Sequence, residues 1–126
     1  MTDTYAAAGR PAPSEIRLKS AEKMLEVDFA GGHNFRLPAE LLRVESPSAE
    51  VKGHGRGQKV VVAGCRHVAI IAIEPVGNYA VRLRFDDGHD TGLYSWEYLY
   101  ELGQDQEKLW QTYLAALAAQ GLRRDP

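Results

Sequence analysis

The segment from Tyr79 to Phe85 constrains the fold more than any other, because Tyr79, Val81, Leu83 and Phe85 alternate with Ala80, Arg82 and Arg84. A period of two places the first set on one face of a strand and the arginines on the other, facing solvent or a partner. Asp86-Asp87-Gly88-His89 follows as a strong turn signal, and residues 91–94 can return as a short strand. A half-buried ladder of this kind needs a second layer to cover its apolar face.

The rest of the chain supplies that layer. Ile16 to Lys19 reads as a short alternating strand, and Met24 to Phe29 sets Leu25, Val27 and Phe29 on one face. Ala30-Gly31-Gly32-His33 turns that strand into Asn34 to Leu37, a hairpin. Pro38 to Arg43 suits a helix of one or two turns, with proline where a helix accepts it. Val60 to Val62 suggests a short strand. The nearly continuous apolar run from Val68 to Ile73 suggests a central strand covered on both faces, ended by a turn at Pro75-Val76-Gly77-Asn78. Ser95 caps a helix carrying Trp96, Leu99 and Leu102, which Gly103 ends. Asp105 caps a last helix, with Trp110, Tyr113, Leu114 and Leu117 in one stripe before Gly121.

The expected class is α+β, a small antiparallel or mixed sheet of roughly five or six strands with helices packed on one face. Residues 1–13 read as a flexible lead, 14–121 as one domain that includes the C-terminal helix, and 122–126 as a frayed tail. A chain of 126 residues has room for one core and no separate catalytic domain. Its single cysteine, Cys65, excludes an intrachain disulfide, a CxxC redox pair and an all-cysteine metal site. With 15 Lys plus Arg against 17 Asp plus Glu, the balance argues against a general nucleic-acid surface. No run of about 18 apolar residues and no hydrophobic leader is present, so a cytoplasmic location without membrane partners is expected.

The stretch from Ser46 to Lys59 is polar, carries Gly53, Gly55 and Gly57, and reads as loop rather than core. With Arg43 and the His89 turn it forms the interaction surface expected from the sequence: Arg43, Ser46, Ser48, His54, Arg56, Arg82, Arg84 and His89. Two other readings stand beside it. His89 with Asp86 or Asp87 and His54 would make a small metal-assisted enzyme, although a turn histidine is the simpler account. Lys52, Arg56, Lys59, Arg82 and Arg84 would bind an anion or a nucleic-acid backbone, although the loop lacks the order of a P-loop. Ser46, Ser48 or Ser95 could be drawn as a nucleophile with His54 or His89, but serines beside proline or before a helix are turn and cap residues, and there is no GxSxG. Cys65 reads as a buried thiol at a strand edge. Tyr98 and Tyr100 read as core packing first, with one of them as a surface anchor in the alternative.

With these segments placed, the motifs PAELLR at 38–43, SPSAEVKGHG at 46–55 and VGNYAVRLRFDDGHDTGLYSWEYLYELG at 76–103 carry a family resemblance. Over residues 14–103 the chain resembles the DUF971 domains, also called gamma-butyrobetaine hydroxylase-like N-terminal domains, in their stand-alone bacterial form. In eukaryotic hydroxylases such a domain precedes a separate iron and 2-oxoglutarate dependent catalytic domain. There it can hold structural zinc through a C-x-C-x-x-C cluster plus the histidine of the D-G-H turn. The resemblance places those ligands at Ser46, Ser48, Val51 and His89, so three thiolates are missing and no zinc or other cofactor is expected. Fusions of related domains to P-loop iron–sulfur carriers imply an accessory role, with an iron–sulfur assembly or carrier protein as partner. An exposed sheet edge or the aromatic C-terminal region offers a homodimer surface.

Overall fold

Alternating apolar residues make strands where the sequence placed most of them, but the strands close into two sheets rather than one. The computed structural model describes residues 11–52 and 59–126. Most of the expected lead and the three glycines of the polar stretch therefore lie outside the described residues. The first sheet joins β1 (Glu15–Lys19), β2 (Met24–Phe29) and β3 (His33–Pro38) in sequence order, all antiparallel. Its register aligns Ile16, Val27 and Phe35, and then Leu18, Leu25 and Leu37, on the core side. Arg17, Glu26 and Arg36 are aligned on the opposite side, where both guanidinium groups reach the Glu26 carboxylate, at 2.9 and 3.1 Å. A slip of one residue would carry those charges into the core, so the apolar pattern fixes the pairing more firmly than the surface ion pairs do.

The second sheet joins β4 (Ile70–Val76), β5 (Ala80–Phe85) and β6 (Leu93–Ser95), again antiparallel, with β5 in the middle. Val81, Leu83 and Phe85 enter the core as their alternation requires. Tyr79 does not: it sits in the turn before β5 and is 54% exposed. The expected central strand over Val68 to Ile73 is also corrected. The strand starts at Ile70, lies at the edge of its sheet, and breaks register between Ile70 and Ala72, which leaves Ile71 58% exposed. Such an irregularity resets which side chains face inward, so a continuous apolar run need not be a doubly covered strand. Pro75 and Val76, expected in a turn, belong to this strand, and an edge is where a proline lacking its N–H is tolerated.

Four helices complete the described residues: α1 (Ala39–Val44), α2 (Ala49–Lys52), α3 (Trp96–Gln104) and α4 (Gln106–Ala119). Ser95 caps α3 as expected, its hydroxyl accepting the Tyr98 N–H at 3.1 Å. Gly103 does not end α3 but lies inside it. A Cβ there would come within 2.3 Å of the Phe35 ring, so the glycine lets the helix approach β3 closely. Asp105 precedes α4 without making a side-chain cap bond. Val60 to Val62 form no strand; Val61 and Val62 pack on the core irregularly, and the Tyr113 hydroxyl donates to the Val62 carbonyl.

One apolar cluster takes side chains from both sheets, from α1, and from α3 and α4. Phe29, Phe35 and Tyr100 pack edge to face within it, which places Tyr100 in the core. Two more phenols tie the core to backbone: Tyr94 donates to the Leu42 carbonyl and Tyr98 to that of Glu45, both at 2.5 Å. Residues 122–126, expected to fray, are held. Gly64 and Arg66 N–H groups donate to the carbonyls of Arg123 and Arg124, and the Arg124 guanidinium grips the buried Glu40 carboxylate. Among the described residues no helix is long and apolar enough to cross a membrane.

Candidate functional site

The turn after β5 is built to present His89. Gly88 takes a φ of +93°, its N–H donates to the Phe85 carbonyl, and the Phe85 N–H donates to that of His89. Asp87 braces the turn from its own side chain: one carboxylate oxygen accepts the His89 N–H at 3.1 Å, the other accepts Arg43 Nε at 2.8 Å. Burial works against the Asp87 charge, but these donors outweigh it and hold the carboxyl below its ordinary pKa. Arg43 thus ties α1 to the turn, while its Nη1 is buried with no hydrogen-bond partner among the described residues. Asp86 faces elsewhere, accepting the Ala69 N–H.

The imidazole itself reaches the segment that the sequence reading took for loop. His89 Nε2 lies 2.8 Å from Ser46 Oγ and Nδ1 lies 3.0 Å from a Glu50 carboxylate oxygen, with the side chain only 2% exposed. In a neutral ring whose Nδ1–H is given to Glu50, Nε2 takes the Ser46 O–H; the Ser48 N–H donates to Ser46 Oγ at 3.2 Å. One step along, Ser48 Oγ bonds Thr91 Oγ1 at 2.7 Å and accepts the Glu50 N–H at 3.2 Å. Val51 is buried in the same segment. The stretch from Ser46 is therefore not wholly solvated loop: four of its residues form α2, and Ser46, Ser48 and Val51 are buried because bonds and packing satisfy them.

Serine, histidine and carboxylate stand in the order that acyl-transfer enzymes use, with a hydrogen bond at each link. The hydroxyl is nevertheless closed off. Ser46 has no solvent exposure, and the Gly92 backbone lies so near that a Cβ on it would fall 2.5 Å from Ser46 Oγ. A nucleophile must come within about 3 Å of a reacting carbon, and no approach to this oxygen is open.

Of the sequence-predicted residues, Arg43, Ser46, Ser48 and His89 come together. Arg82 stands beside them, donating to the carbonyl of Asp90, and Arg84 is separate, with its nearest acidic contact at Glu74, 3.7 Å away. His54 and Arg56 lie outside the described residues. Among the described residues, the cations of the anion-binding reading are engaged: Arg82 and Arg84 with Glu74, Lys59 with Glu45 at 2.6 Å, and Lys52 over the Tyr98 ring. Cys65 is buried in an irregular segment, and burial pushes its thiol pKa up, away from reactivity. Ser95 remains a helix cap. Glu50 was missed, and the only signal for it was its position between Ser48 and Val51.

The donors do not fit the zinc site that the resemblance places here. Neutral hydroxyls stand at 46 and 48, an alkyl side chain at 51, and the Ser46 hydroxyl is hydrogen-bonded to His89 Nε2. Among the described residues no three His, Cys, Asp or Glu side chains are grouped to hold a metal ion.

Comparison with known proteins gives a family and several solved structures. Residues 16–100 match the family model described as gamma-butyrobetaine hydroxylase-like, N-terminal. A protein solved by NMR in solution is 49% identical, with 94% of this chain and 93% of that one covered and a TM-score of 0.81. A second NMR structure is 52% identical over 94% and 89% of the two chains, with the same TM-score of 0.81. A crystal structure from Acidithiobacillus ferrooxidans, described as a protein of unknown function in the DUF971 family, is 43% identical over 75% and 98%, with a TM-score of 0.62. Curated proteins give no match.

Proposed function

The chain belongs to the gamma-butyrobetaine hydroxylase-like N-terminal, or DUF971, family, and we propose that it works as a noncatalytic accessory domain that binds another protein. The observation that carries this reading is the closure of the Ser46, His89 and Glu50 chain. Its reactive-looking oxygen has no exposure, and Ser46 Oγ and both ring nitrogens of His89 have internal partners. What that chain leaves accessible is binding surface. Glu50 is 66% exposed, Thr91 is exposed, and the half-exposed apolar Leu93 pairs across the sheet with Arg82, whose carboxylate partners are Glu74 and Asp90. An apolar side chain beside charges of both signs suits a protein partner better than a polyanion. The partner class implied by the resemblance is an iron–sulfur assembly or carrier protein.

Photo-crosslinking in cells tests this. A benzophenone amino acid at Leu93, exposed and outside the hydrogen bonds around His89, is expected to give a discrete heavier product containing one protein partner, whereas the same group at Lys108, exposed on α4, gives none. Equal products at both positions, or none at Leu93, would sink the assignment of this face.

A further inference from the structure

We infer that the hydrogen bonds among Ser46, Ser48, Glu50, His89 and Thr91 form a metal-independent clasp that does in this chain the structural work of an ion at the same place. The two segments are far apart in sequence and meet in register: Ser46 and Glu50 on the two nitrogens of His89, Ser48 on Thr91, with Arg43 on Asp87 alongside. The segment needs such a tie. The helix α2 is only four residues long, too short to persist by its own backbone bonds, yet it carries Val51 into the interior. A histidine that ligates a metal commonly donates its other ring N–H to a carboxylate, which fixes the tautomer. Glu50 occupies that orienting position here, and the Ser46 hydroxyl stands where Nε2 would otherwise meet an ion. The hydroxyl therefore occupies the place of an ion, and no thiolate stands beside it to compete for a cation. The inference concerns how the fold is held and does not depend on the partner proposed above.

Metal binding and stability of the untagged protein provide the test. Chelator or added zinc is expected to leave the melting temperature within about 1 °C, since a ligand that binds neither state shifts nothing. Ser46→Cys/Ser48→Cys/Val51→Cys, which puts sulfur donors at the three positions that the resemblance assigns to ligands alongside His89, is expected to take up about one equivalent of cobalt(II) with thiolate charge-transfer absorption. Adding His89→Ala to it is expected to weaken that uptake at least tenfold. Ser46→Cys/Ser48→Cys serves as the second variant where the triple does not fold. Stoichiometric zinc in the natural chain, with a fall in melting temperature on chelation, would overturn the inference. So would a folded cysteine variant that takes up no metal. If neither cysteine variant folds, Ser46→Ala decides: amide exchange over residues 48–52 is expected to speed up at least tenfold while β2 stays protected, and unchanged exchange counts against the clasp.

Discussion

Replacing His89 with alanine should lower the free energy of unfolding by about 3 kcal/mol, the upper range for a buried side chain that both fills space and completes hydrogen bonds. The imidazole is almost fully buried beside the Phe85 ring, so its loss leaves a cavity at the end of β5. It also takes from the fully buried Ser46 hydroxyl its partner on the ring, leaving the Tyr94 side chain within its reach. Glu50 is mostly exposed and loses little, so the cost comes from the Ser46 side of the ring. His89→Ala/Ser46→Ala removes that hydroxyl together with the ring, and the two changes should cost distinctly less than the sum of the singles. Urea denaturation of the four proteins measures this. A loss below about 1 kcal/mol for His89→Ala, or strict additivity, would mean that the clasp is ornamental.

The second large effect belongs to the C-terminal tail. Arg124 donates to both oxygens of Glu40 at 2.9 and 2.7 Å and lies over the Trp110 ring at 5.1 Å. Glu40 is buried at the start of α1, with only 8% of its side chain exposed. Removing one partner of a buried ion pair commonly costs about 3–5 kcal/mol because the other charge is left without a counterion. Arg124 is 30% exposed, so water can reach the vacated place and the expected loss for Arg124→Ala is about 2–3 kcal/mol. Deleting residues 122–126 should cost at least as much, since the backbone bonds from Gly64 and Arg66 go too. Glu40→Gln/Arg124→Ala should recover part of the loss by leaving no bare charge. Equal stability of Arg124→Ala and the parent in a thermal melt would mean that the tail is not part of the fold.

Much of this architecture is legible in the sequence, and what is hidden has physical reasons. The hairpin of β2 and β3, the alternation of β5 and the Ser95 cap follow from local rules, because each depends on residues a few positions apart. The split into two sheets does not, and neither does the register break after Ile70, which no glycine announces. Gly103 looks like a helix stop, and only the Phe35 ring across the interface explains it. The tail looks like fraying polar residues, but its arginine has a buried carboxylate 84 positions away. At the site, the resemblance puts Ser46, Ser48, Val51 and His89 around one point; in the structure Ser46 bonds His89, Ser48 bonds Ser46 and Thr91, and Val51 is buried in the same segment. The resemblance could not say that a carboxylate at Glu50 would complete the chain, because polar composition reads as exposure until partners separated by 39 and 43 residues are known.

Sealed inside the clasp, Ser46 is expected not to act as a nucleophile. Exposure of the folded protein to a fluorophosphonate, followed by intact mass measurement, tests it most directly, because the reagent bonds covalently to a serine oxygen activated by a histidine. The predicted result is no adduct on the native chain. A stoichiometric adduct at Ser46, absent from Ser46→Ala, would contradict the account.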